Sequence, residues 1–262
     1  MIVSRMKPKL VPLVAVALSV GMRVFLVLSA CLYLTGGNVS AGQSAEIRPA
    51  LLGNGPRSLI NVMDAQRLMR QGQPDAVVNF DFYVNTFGKA GSLLTYGGTP
   101  NSDGLSQELI NNLERAHFIP AVWHGRPVEA FVAGTLFFAT TAGKPHLRIY
   151  LNQEREHLQH GDDFISPQQI FPPIKRFRPF DDRDYRLTAG LVAVRVDTDV
   201  TGKLLGAKLL REYPPNGGFG EAVMKRIDKV ILSPAFLHGR PVACSTTWQI
   251  PFIGPKFTNR WL

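Results

Sequence analysis

An eleven-residue segment of this chain recurs in related form, and that recurrence restricts the fold more than any other feature. Phe118-Ile-Pro-Ala-Val-Trp-His-Gly-Arg-Pro-Val128 and Leu232-Ser-Pro-Ala-Phe-Leu-His-Gly-Arg-Pro-Val242 agree at seven of eleven positions, at an offset of 114. The same offset runs upstream without a gap. Gly88-Lys89 falls on Gly202-Lys203, Phe80 and Phe82 on Val194 and Val196, and Leu109 and Leu113 on Val223 and Ile227. One register held this far marks an internal repeat, and a repeat means one supersecondary unit built twice.

Each copy reads alike locally. Val78 to Val84 and Leu191 to Asp197 alternate apolar with polar residues, the pattern of a half-buried strand. Gly88 and Gly202 follow as hairpin turns, and second strands fit Ser92 to Tyr96 and Leu204 to Leu210. Polar, glycine-rich turns lead to helices marked by Leu105, Leu109, Leu113 and Ala116, and by Phe219, Val223, Ile227 and Val230. Pro120 and Pro234 end those segments, because proline lacks the N–H that a helix needs. Each His-Gly-Arg-Pro segment is a turn, followed by closing strands Val128 to Phe138 and Val242 to Phe252. The expected fold is α+β: two repeated modules, each a small three-stranded antiparallel sheet with a helix packed on one face. The boundaries are a leader at 1–41, a first module with its lead-in at 42–140, a connector at 141–187 and a second module at 188–262.

With 45% hydrophobic and 19% charged residues, disorder throughout is excluded. The formal charge is +9, but Arg5, Lys7, Lys9 and Arg23 precede Gly42, leaving a mildly basic remainder. No basic stripe or nucleic-acid motif accompanies it, so no nucleic-acid partner is expected. Residues 10–34 are apolar apart from Arg23 and a few small polar residues, and three readings stand. The first is a secretory signal starting at Met22 and cleaved after Val39-Ser40-Ala41. The second is an uncleaved anchor, with Arg23 in mid-bilayer at roughly 2.5–3.5 kcal/mol. The third is a lipoprotein acylated at Cys31 in Leu28-Ser29-Ala30-Cys31. All three export the rest of the chain to the periplasm, and membrane contact is expected only if the segment is retained or lipidated.

The strand, glycine turn, polar turn, amphipathic helix and Phe-x-Pro-Ala-x-x-x-Gly-x-Pro-Val segment resemble the C-terminal domain of TonB-type energy transducers. The resemblance covers about 75–140 and 188–254, roughly half the chain. It implies helices on a three-stranded antiparallel sheet, no catalytic residues and no cofactor. It also implies envelope-protein partners, outer-membrane transporters among them, whose segments are received as an added β-strand on the last strand. Ser245, Thr246, Thr247, Trp248 and Gln249 are therefore the candidate partner-binding residues, since an unpaired edge presents free N–H and C=O groups.

Motifs for enzymatic chemistry are sparse. Gly-x-Ser-x-Gly, a P-loop and His-Glu-x-x-His do not occur. Cys244, six residues after His238, reads better as a small apolar strand residue than as half of a Cys/His dyad. His124 and His238 read as turn residues. His157, His160, Asp162 and Asp163 form the one metal-like cluster, and a metal-dependent envelope enzyme built on 157–163 is the alternative function. A structural pseudo-dimer of the two modules is a third.

Overall fold

The computed structural model describes residues 47–172 and 190–252. The segment expected to be a leader, with the cleavage and lipidation sites expected of its alternative readings, and the proline-rich end of the connector lie outside the described residues. Among those described, no helix is long and apolar enough to cross a membrane.

The first copy runs β1 (Ile47–Arg48), α1 (Leu59–Val62), α2 (Ala65–Arg70), β2 (Ala76–Val84), β3 (Ala90–Tyr96), α3 (Asp103–Leu113), β4 (Ala121–Trp123) and β5 (Arg126–Thr141). Val78, Phe80, Phe82 and Val84 turn one face of β2 into the core, where Leu105, Leu109 and Leu113 of α3 meet them. The Asn85 side chain shapes the β2–β3 turn by accepting the N–H groups of Phe87 (2.9 Å) and Lys89 (3.0 Å). Gly88 has φ +73°, and a Cβ there would stand 2.2 Å from the Phe118 carbonyl oxygen. Only glycine fits that approach.

The connector supplies β6 (Lys144–Tyr150), α4 (Arg155–Leu158), β7 (Phe164–Ile165) and β8 (Gln169–Phe171). The second copy follows as β9 (Gly190–Thr198), β10 (Leu204–Tyr213), α5 (Phe219–Met224), β11 (Ile231–Leu232), β12 (Ala235–Leu237), β13 (Arg240–Val242) and β14 (Cys244–Phe252). Its pairing repeats that of the first copy at the same offset: Val78↔Leu136 and Val84↔Ala130 become Val192↔Ile250 and Thr198↔Cys244. Asp199 takes the place of Asn85 in the turn, and a Cβ on Gly202 would meet the Leu232 carbonyl at 2.3 Å. Both His-Gly turns have two positive φ angles, +48° and +73° at His124-Gly125, +50° and +73° at His238-Gly239. That pair of angles is what a type I′ hairpin requires.

The α+β layout of two three-stranded modules is nevertheless overturned. The protein is mostly β, 46% strand against 20% helix, with one eight-stranded sheet and two three-stranded ones. The cause is the length of β5. It spans 16 residues where β14 spans 9. Its free side takes β4, β8 and β6 in line, while β2 occupies the other. Strand β8 in turn pairs with β11, so a strand of the second copy belongs to the sheet of the first. A buried side chain reinforces the join. Gln168, 3% exposed, accepts the Ala50 N–H at 2.8 Å and donates to the Ala50 carbonyl at 3.0 Å. Its own backbone exchanges hydrogen bonds with Ser233 of the second copy.

Candidate functional site

Three short strands line the free side of β5, and two of them carry an outer strand of their own. Strand β4 carries β1, and β8 carries β11, both antiparallel. Strand β6 carries none among the described residues. Its outer side instead borders a groove of about 740 Å³, a size common for ligand sites.

The phase of β6 follows from its turn. Ala142-Gly143, both at positive φ, make a two-residue hairpin closed by Thr141↔Lys144. Such a hairpin closes on a hydrogen-bonded pair, and alternation then turns the N–H and C=O of Pro145, Leu147 and Ile149 outward. Leu151 confirms the phase, because its carbonyl accepts the Ser166 N–H at 3.0 Å on that outer side. Pro145 has no N–H to offer. Leu147 and Ile149 thus face the groove with backbone donors and acceptors that no described residue bonds.

The groove is lined by every residue from Leu147 to Leu151, which happens when a strand presents its edge rather than a face. Opposite runs the lead-in, Leu51 to Asn54, backed by Ile60 of α1, Ile119 and Ile165. The walls are largely aliphatic, and Asn54, Arg148, Tyr150 and Asp162 supply the polar side chains. An apolar channel with unpaired strand groups along one wall suits an extended chain.

No family model, no curated protein and no solved structure matches this chain.

The residues singled out from the sequence are placed differently. Ser245 to Gln249 form the middle of β14, an edge strand of its sheet, paired with β9 on its inner side. The Thr247 N–H points outward and donates to the Glu154 carboxylate of the connector. By alternation Pro251 falls on the same outer edge, where it has no donor. Thr246 is buried, and Trp248 packs against the second core instead of standing free as an anchor. The metal-like cluster is dispersed. The His157 ring stacks on Phe164 at 4.1 Å, and burial lowers its pKa. Asp163 contacts His238 Nδ1 at 3.3 Å, and no metal-holding group of His, Cys, Asp and Glu occurs among the described residues. Burial pushes the Cys244 thiol up to about 11, so it stays protonated and a poor nucleophile at neutral pH.

Two buried carboxylates escaped sequence reasoning. Asp81, 1% exposed on the outer face of β2, accepts Tyr96 Oη at 3.0 Å and Gln153 Nε2 at 3.2 Å, while its second oxygen has no partner. Burial pushes its carboxyl up to about 7. Gln153 also donates to the carbonyls of Phe80 and Gly134. The next residue, Glu154, reaches Arg195 at 3.4 Å. One loop therefore bonds the outer faces of β2 in the first copy and β9 in the second. Glu108, also buried, accepts the Asp64 N–H (2.9 Å), Asn112 Nδ2 (2.8 Å) and the Arg67 guanidinium. It ties α2 to α3 and is structural.

Proposed function

We propose that this chain is a protein-binding component of the cell envelope, exported by its leader, that receives an extended segment of a partner as an added strand in the β6 groove. The outward backbone groups of Leu147 and Ile149, which no described residue bonds and which border an apolar channel, carry this reading. Unpaired strand edges are a liability that folds hide or use. The second copy hides its closing edge behind Glu154 and Pro251, whereas no described strand covers the outer edge of β6. The resemblance to TonB-type C-terminal domains supports the same mode of binding, and envelope proteins, including outer-membrane transporters, are the class of partner it suggests.

The test uses a photo-crosslinking residue in place of Asn54 on the groove rim, in envelope extracts of the native host. Leu147→Pro removes one outward donor and no ladder bond, as Pro145 already does in the same strand. Crosslinked partners should disappear in that variant while its melting temperature stays within a few degrees. Equal capture by both forms, or no capture by the parent, overturns the reading.

A further inference from the structure

The groove selects among extended segments, and this inference rests on the function just proposed. We infer that it takes a segment with aliphatic residues at alternate positions and a neutral hydrogen-bonding side chain, an amide above all, between them.

Direction comes first. Strands β1 and β11 both run antiparallel to the strands that carry them. A segment laid beside β6 in the same sense bonds through the outward groups of Leu147 and Ile149. Residues opposite each other across such a ladder send their side chains to the same face. Leu147 and Ile149 point toward the core. The two residues facing them therefore enter the aliphatic part of the groove, beside Leu52 and Ile60. The residue between them lies opposite Arg148, on the other face.

That face decides the central side chain. Arg148 donates from Nη1 to Tyr150 Oη at 3.3 Å, which leaves four of its five donors unused. Asp162 lines the same groove and its charge acts on Arg148, with no ion pair between the two. An incoming carboxylate gains Arg148 but meets the Asp162 charge; an incoming ammonium gains Asp162 but meets Arg148. An amide offers an acceptor to the guanidinium and a donor to the carboxylate, with no like charge opposed. Like charges set against each other are the usual means of rejecting wrong partners.

The experiment uses the full chain and three fluorescein-labelled peptides, Thr-Val-Gln-Val-Thr, Thr-Val-Glu-Val-Thr and Thr-Val-Lys-Val-Thr, followed by fluorescence polarisation. The glutamine peptide should bind tightest, by roughly tenfold over each charged one. Methylating both valine amides should abolish its binding, because the strand ladder is lost. In Asp162→Asn the glutamate peptide should gain about tenfold, and in Arg148→Gln the lysine peptide should gain by a similar factor. Neither variant touches the core, so folding is checked by an unchanged melting curve. Equal affinities across the three peptides, or variants that leave the ranking as it was, overturn the selectivity while amide-dependent binding keeps the strand-addition reading. Binding by none of the peptides also overturns the selectivity. The Leu147→Pro crosslinking comparison then decides the broader reading separately.

Discussion

At position 81 the first copy buries an aspartate; at the equivalent position in the second copy stands Arg195. At position 108 the first copy buries a glutamate that holds α2; at the equivalent position the second has Ala222. The lead-ins diverge most. Leu51 exchanges backbone bonds with Ile119, and Gln168 bonds Ser233 at the matching point of the second copy. Gly53, at φ +74°, then turns the first lead-in away toward α1, while the second continues as β8 into the sheet of the first copy. What the copies share is what the chain's local geometry demands: the Asn85 and Asp199 turns, Gly88 and Gly202, and the two His-Gly hairpins. What differs is how each copy treats its outer faces and edges, and there the groove and the Gln153–Glu154 bridge arise. Repetition supplied a scaffold, and divergence at its margins supplied the groove beside β6 and the Gln153–Glu154 bridge.

The strongest way to break this comparison is to alter a shared position in each copy. Gly88→Ala and Gly202→Ala both force a Cβ against a backbone carbonyl at positive φ. Each should cost about 2–4 kcal/mol, strain and displacement combined. Chemical denaturation of both variants checks it. A negligible loss at either site would mean that the two turns are not equivalent.

Next in size is the join. Gln168→Leu leaves the buried Ala50 N–H and carbonyl without partners and should cost about 2–3 kcal/mol. If β8 and Gln168 make one folding unit of the two copies, unfolding stays a single transition in the parent and the loss appears in probes of both. Trp123 and Trp248 mark the two copies, and separate fluorescence transitions in single-tryptophan forms of the parent would show the copies to be independent.

Much of the repeat was legible because it is local. Alternation in β2 and β9, glycine at the turns and helical spacing in α3 depend on near neighbours, and they read the same way twice. The wider sheet was not, because it depends on where β8 goes, and nothing in Gln169-Ile170-Phe171 names β5 or β11 as a partner. The resemblance reinforced this limit, for it covers the two repeats and leaves out the connector that supplies β6, β7 and β8. The groove was hidden for the same reason: Leu51 to Asn54, Ile119, Leu147 to Leu151 and Ile165 meet only after those strands are placed. Asp81 was hidden differently. It falls at an outward position of an alternating strand, where an acid normally meets water, and only Tyr96 and Gln153 folding over it make it buried.

Asp81 sharpens the comparison through pH, because the second copy has no carboxylate at the equivalent position, Arg195. Its carboxyl, raised from 3.8 to about 7 chiefly by burial, keeps a proton in the folded state that the unfolded chain releases. Its contribution to stability is therefore fully present below pH 3.8 and is lost as pH rises through about 7, at up to roughly 1.4 kcal/mol per pH unit. Asp81→Asn should remove this slope. Urea midpoints at pH 5 and pH 8 should differ less in the variant than in the parent, and an equal difference in both would exclude Asp81 as the source.

The smallest expected effect separates the two edges. Thr247→Pro deletes the one outward N–H of β14 that is seen to be occupied, the donor to Glu154. Proline keeps an extended φ and breaks no bond to β9, because that N–H points away from it. Glu154 retains Arg195 as a partner, so the loss should be about 1 kcal/mol. Partner capture should be unchanged, in contrast to Leu147→Pro, where stability holds and capture goes. The opposite outcome, capture lost at Thr247 and kept at Leu147, would move the binding edge from β6 to β14. Glu154 would then be a plug that an incoming strand displaces, and the residues Ser245 to Gln249 would regain the role their sequence suggested.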